Sequence, residues 1–212
     1  VLELLYTPRR YLQSALQMNA AYLLQITPGS TLTACAGFQT GDEYRWLSRT
    51  AYRTRELQNA HPERGFGTKE RENWEQAPAW QGIRELMEKV LATYDWGENF
   101  VASNLVAKVA VDETLRQLGT TARRFDDPLL NFMADNQLRD SDRSRRWSTA
   151  VVAFCSHREG NNAVVAEWIE KWMPLARTAI NTYCDALPES DDAAKTAIAN
   201  VEAFHRSLGL ED

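Results

Sequence analysis

Apolar residues recur along this chain at spacings of three and four, the pattern of helices that bury one face. Tyr11, Leu12, Ala15, Leu16, Tyr22 and Leu23 predict a first helix over about 8–25, with Pro8 in its first turn and Thr27-Pro28-Gly29 as its stop. A second, long helix is expected over 30–60, ending before Pro62. Residues 62–78, polar and interrupted by Gly65, Gly67 and Pro78, read as a loop. Ile83, Leu86, Met87, Val90 and Leu91 mark a third helix from Pro78. Around Asp95-Trp96-Gly97 it bends or hands over to a fourth that ends near Leu118, before a break at 119–128. A fifth helix is expected over 128–156. Val165, Trp168, Ile169 and Trp172 form one stripe of a sixth, with a kink or restart at Pro174. A last amphipathic helix, 193–208, stops at Gly209.

No strand-like alternation and no solenoid repeat interrupts this series. The first and second helices form a pair that the fourth and fifth repeat. That layout predicts an all-α fold, a ferritin-like (ribonucleotide-reductase-like) helical bundle with additional C-terminal helices, as one domain over 1–212. The chain has 212 residues, 44% of them hydrophobic, enough for a substantial core. A net charge of −5 points away from nucleic acid and anionic membranes as partners. Residues 11–41 carry no charge, but Gln13, Gln17, Asn19, Gln25 and the turn at Pro28 argue for a bundle interior rather than a membrane span. Cys35, Cys155 and Cys184 lack metal-ligand spacing and are odd in number, so buried free thiols in a cytoplasmic protein are expected. No signal peptide is visible, and an opening at Val1 inside a structured region reads as a fragment of a longer subunit.

Two short stretches carry the candidate chemistry. Asp42-Glu43-Tyr44-Arg45-Trp46 and Asp142-Arg143-Ser144-Arg145-Arg146 both resemble Asp-Glu-x-Arg-His, the di-iron motif of bacterial multicomponent monooxygenases and ribonucleotide reductase small subunits. In such bundles a Glu and the His three residues on share a helix face and bind iron together. Here Trp46 stands where the first His belongs; its indole is a donor only. Arg143 and Arg146 take the second Glu and His positions, and guanidinium groups stay protonated. The expectation is therefore a bundle with no metal, no cofactor and no catalytic residue on this chain, in which Arg146 pairs with a carboxylate, Glu43 first.

Other candidates are weaker. Glu202 and His205 form the single Glu-x-x-His and read as a surface hydrogen-bonded pair. A rearranged di-iron site from Glu43, Glu98, Glu202 and His205 is the enzyme-class rival, and a free-standing helical interaction module is a third possibility. His61 and His157 have no local partner, and Gly65-Phe66-Gly67 follows no strand, which argues against a nucleotide loop. Trp74, Trp80 and Trp96 are expected in the core. Arg45, Arg49, Arg53 and Arg55, with Trp46, read as subunit-interface anchors.

Longer blocks sharpen the resemblance. Asp42 to Leu47 with Thr50-Ala51-Tyr52-Arg53-Thr54, Trp80-Gln81-Gly82-Ile83-Arg84-Glu85-Leu86-Met87-Glu88-Lys89, Asp95-Trp96-Gly97-Glu98 and Trp168-Ile169-Glu170-Lys171-Trp172 are similar to β subunits of aromatic (toluene) monooxygenase hydroxylases, over roughly residues 6–175. The resemblance implies a metal-free β subunit packed on a related α subunit that bears the di-iron centre. It further implies a γ subunit, an (αβγ)2 assembly, and service by an effector protein, a ferredoxin and an NADH-dependent reductase. Phenol and alkene monooxygenase β subunits share the same plan.

Overall fold

The computed structural model describes residues 1–210. In chain order the helices are α1 (Arg9–Ile26), α2 (Ser30–Ala60), α3 (Glu70–Gln76), α4 (Pro78–Leu91), α5 (Trp96–Phe100), α6 (Lys108–Arg124), α7 (Pro128–Cys155), α8 (Asn161–Cys184) and α9 (Ala193–Arg206). Two wide-turn π segments, Leu2–Tyr6 and Val101–Ala107, lie before α1 and between α5 and α6.

Two hairpins make the centre. α1 folds back on α2 through a turn at Gly29, whose φ of +93° favours glycine. α6 folds back on α7, where Asp127 caps the new helix by accepting from the Leu130 amide at 2.9 Å. α2 and α7 run antiparallel, as the cross-contacts of Asp42 with Arg143 and of Gln39 with Trp147 require. α4 and α8 pack on the hairpins as a second layer, and α9 lies along α6. The α4/α8 seam is tight at Gly82, where a Cβ would stand 2.8 Å from the Ala179 Cα. Most of the buried apolar residues form one connected cluster that joins the two hairpins to α4, α8 and α9. This is the ferritin-like plan the helix pairing implied.

Several boundaries differ from expectation, each for a local reason. The stretch 62–78 is not a loop throughout: Pro62–Arg64 is a 3₁₀ turn and α3 follows. Glu70, fully buried, accepts from the Gly67 amide at 2.8 Å and starts that helix, and Trp74 wedges between Tyr11 and Trp80. Gly119 does not break α6, because it faces Ala134 of α7 at a distance only a glycine accepts easily. Pro174 does not restart α8, which runs unbroken from Asn161 to Cys184; it sits on the exposed side, where the unpaired carbonyl of Glu170 can face water. No helix among the described residues is long and apolar enough to cross a membrane. Of the cysteines, Cys184 alone is fully buried, its thiol pushed up to about 12 by burial, while Cys35 and Cys155 are half-buried.

Candidate functional site

The helix faces that meet inside the two hairpins are polar. α2 turns Gln39, Glu43, Trp46 and Thr50 inward, and α7 turns in Gln137, Ser141, Ser144 and Ser148. The Val101–Ala107 π segment places Asn104 and Lys108 against α2, so that Gln39 meets Asn104 at 2.9 Å and, one turn on, Glu43 meets Lys108 at 2.7 Å. Gln13 donates to Gln137 at 3.4 Å, and Asn19 pairs with Asn99 at 3.0 Å. These amide rungs and one ion pair run along the bundle interior.

Burial corrects the register of the second motif. Arg146 is exposed and does not reach Glu43; Arg143 is half in water. The inward positions are Ser141 and Ser144, so Asp140-Ser141-Asp142-Arg143-Ser144 is the true counterpart of Asp42-Glu43-Tyr44-Arg45-Trp46. The ionic contacts repeat with that register. Arg143 reaches across to Asp42 at 2.6 Å, while Arg45 reaches across to Asp140. The leading Asp of each copy thus receives the Arg of the other. The Trp46 indole also donates to Asp140, at 2.6 Å. Trp46 is therefore a core residue, 3% exposed, and not the interface anchor expected.

The cation at the centre is Lys108. It is 4% exposed, and its ammonium lies 2.7 Å from Glu43, 3.0 Å from the Ser141 hydroxyl and 3.5 Å from Asp112. Ser141 donates to Asp112 at 2.9 Å, and Arg145 approaches the other oxygen of Asp112 at 3.3 Å. Burial disfavours the ammonium, but Asp112 and Glu43 outweigh it and hold Lys108 protonated well above the ordinary lysine range. Burial raises the Glu43 carboxyl, and the Lys108 charge opposes that rise. One oxygen of Glu43, Oε2, is buried with no donor among the described residues.

The remaining candidates lie apart. Glu98 is held by Lys171 at 2.7 Å and by the Trp172 indole at 3.0 Å. Glu202 pairs with Arg177 at 2.8 Å, and His205 contacts the Leu105 carbonyl at 2.7 Å, so the two do not bond each other as expected. Burial lowers the His205 pKa, against the bond to Leu105 and the charge of Glu202. Arg53 pairs with Glu56 on its own helix. Trp80 is fully buried and Trp74 and Trp96 pack on the core, as expected.

An iron pair does not fit this donor set. Trp46 offers no lone pair, Ser141 and Ser144 replace a carboxylate and an imidazole, and an ammonium occupies the space beside the remaining Glu43. Among the described residues no group of three or more His, Cys, Asp or Glu side chains could hold a metal ion. Lys108, Asp112 and the two serines escaped the sequence reading. Lys108 had a signal: it is the only charge between Glu98 and Asp112, in an otherwise largely apolar run.

A helical bundle with paired, degenerate di-iron motifs defines an oxygenase-type hydroxylase fold. The chain belongs to the methane/phenol/alkene hydroxylase family, which it matches over residues 1–159. It is 48% identical over 183 residues to the toluene-4-monooxygenase system hydroxylase component subunit beta of Ectopseudomonas mendocina, covering 86% of this chain and 56% of that one. It is 27% identical over 143 residues to the propane 2-monooxygenase hydroxylase component small subunit of Mycolicibacterium goodii, covering 65% and 39%. A chain in a structure of toluene 4-monooxygenase with toluene in its resting active site superposes with a TM-score of 0.86 at 46% identity, over 88% of this chain and 62% of that one. Phenol hydroxylase from Pseudomonas sp. OX1, at 22% identity and a TM-score of 0.80 over 98% and 63%, shares the fold. The chain thus spans little more than half the length of the first of these relatives.

Proposed function

We propose that this chain is a metal-free, non-catalytic β-type subunit of a di-iron multicomponent monooxygenase hydroxylase that hydroxylates aromatic compounds such as toluene. The reading rests first on Lys108. An ammonium bonded to Glu43, with Trp46 and two serines at the other positions of the paired motifs, supplies in covalent form the positive charge that a bundle of this plan otherwise takes from iron. The aromatic substrate class rests on the 48% identity to a toluene system against 27% to a propane one. In this reading the chain acts in the cytoplasm by supporting a larger subunit that bears the iron, within an (αβγ)2 assembly. An effector protein, a ferredoxin and an NADH-dependent reductase serve that assembly.

The test is reconstitution. The full-length subunit, co-expressed with its cognate α and γ subunits, should be needed for assembly. A Glu43→Gln variant should leave turnover per assembled complex unchanged. Assembly at wild-type yield with turnover lost would place chemistry on this chain and sink the proposal.

A further inference from the structure

The exposed apolar side chains are not spread evenly. Phe38 and Tyr52 on α2, and Leu129, Phe132 and Phe154 on α7, are 74%, 69%, 43%, 64% and 76% exposed. Helical spacing sets all of them on the outer side of the α2/α7 pair, away from Glu43 and Ser141. α4 contrasts with this: its outer positions Arg84, Glu85, Glu88 and Lys89 close into i,i+4 ion pairs suited to water. Between α2 and α7, beside Tyr52, Phe132 and Met133, runs a groove of about 520 Å³.

We infer that this outer α2/α7 face is where the larger hydroxylase subunit docks, an inference that rests on the subunit reading above. Each large aromatic side chain offers about 150–250 Å². At their exposures, the five residues present about 600 Å² of apolar surface, most of the roughly 800 Å² that each partner gives a stable interface. The chemistry of the occupant follows from the charges. Asp42, Arg45, Asp140 and Arg143 neutralise one another at the middle of the face. Arg49 stacks on the Trp46 ring at 4.9 Å and has no carboxylate partner among the described residues. The docking surface is therefore an apolar helical face that carries a carboxylate opposite Arg49. A second copy of this chain would bring a second unmatched Arg49 rather than that carboxylate. The relatives, by contrast, are each one subunit of a hydroxylase component.

The experiment uses the full-length chain and its cognate larger subunit, with affinity read by titration in solution. Tyr52→Asp and Phe132→Asp should each weaken the complex about 100-fold or more, as truncated central anchors do. Tyr94→Asp, an equally exposed aromatic beyond α4, should change affinity less than about threefold. All three should match wild type in helix content and unfolding midpoint. Independently, hydrogen exchange on the wild-type complex should slow in α2 and α7 near Tyr52 and Phe132. Face variants that bind like wild type, or absent protection there, would overturn the docking face while leaving the subunit reading intact. Loss of self-association in those variants with the larger subunit still bound would assign the face to a second copy. A wild-type chain that binds no larger subunit would overturn both.

Discussion

The two sides of the α2/α7 pair have opposite chemistry. Inward, the pair closes on charge: Glu43, Lys108, Asp112, Ser141 and Arg145 are linked within a few ångströms, with Oε2 of Glu43 left without a donor among the described residues. Outward, it presents phenyl and phenol rings to water. In a bundle that works as an oxygenase, the interior of these helices is the reactive part and the exterior can be ordinary surface. Here the interior is an ion-pair knot and the exterior is apolar, the contrast expected of a subunit that acts through its surface, as proposed.

Breaking the inner side should have the largest effect. Lys108→Met leaves Glu43 and Asp112 buried without their shared cation, and removing one partner of a buried pair costs about 3–5 kcal/mol. Denaturant unfolding should show that loss. Adding Glu43→Leu should recover most of it, to within about 1–2 kcal/mol of wild type, because an apolar pair of similar volume fits a buried site. If the double variant is no better than the single one, Glu43 is not the group that most needs the Lys108 cation.

Packing away from the pair supplies a scale for the knot. At the α4/α8 seam, Gly82→Ala places a methyl against the Ala179 backbone and should destabilise by about 1–3 kcal/mol. A neutral result there would mean that the second layer is loosely held.

A smaller effect is expected at His205, which fixes α9 to the π segment beside the knot through the Leu105 carbonyl. Its pKa is lowered from 6.5 in the folded chain, so folding favours the neutral ring. That stabilisation is fully present above pH 6.5 and is lost as the pH falls through the lower folded value. Unfolding midpoints followed downward from pH 8 should drop below about pH 6.5 more for wild type than for His205→Gln. Parallel curves would remove His205 from the account.

Outward substitutions should be the mildest of all for the isolated chain. Tyr52→Ser should change stability by no more than about 0.5 kcal/mol, since its ring is already mostly in water. A larger loss would show that the outer face supports the fold and is not free to dock.

The helix pairs, and with them the bundle, were legible because 3.6-residue periodicity and proline or glycine stops mark them directly. The interior was legible only in part. Glu43 and Trp46 keep the spacing of the motif, but Ser141 and Ser144 carry no trace of it in their chemistry. The arginines two residues away drew the alignment out of register, and Arg146 took a role that belongs to Lys108. Nor does periodicity report a π segment, whose wider turn shifts which faces its residues present. α3 was missed because Gly65 and Gly67 mark a loop, while the helix starts on a single local bond from the Gly67 amide to the buried Glu70 carboxylate.

The most direct test of the central claim is metal content per chain. The full-length subunit, isolated from the assembled hydroxylase after iron-replete expression, should hold essentially no iron, and Glu43→Ala should not alter that value. About two irons per chain, the complement of an intact bundle site, lost on Glu43→Ala, would contradict the claim that the Lys108 ammonium has taken the metal's place.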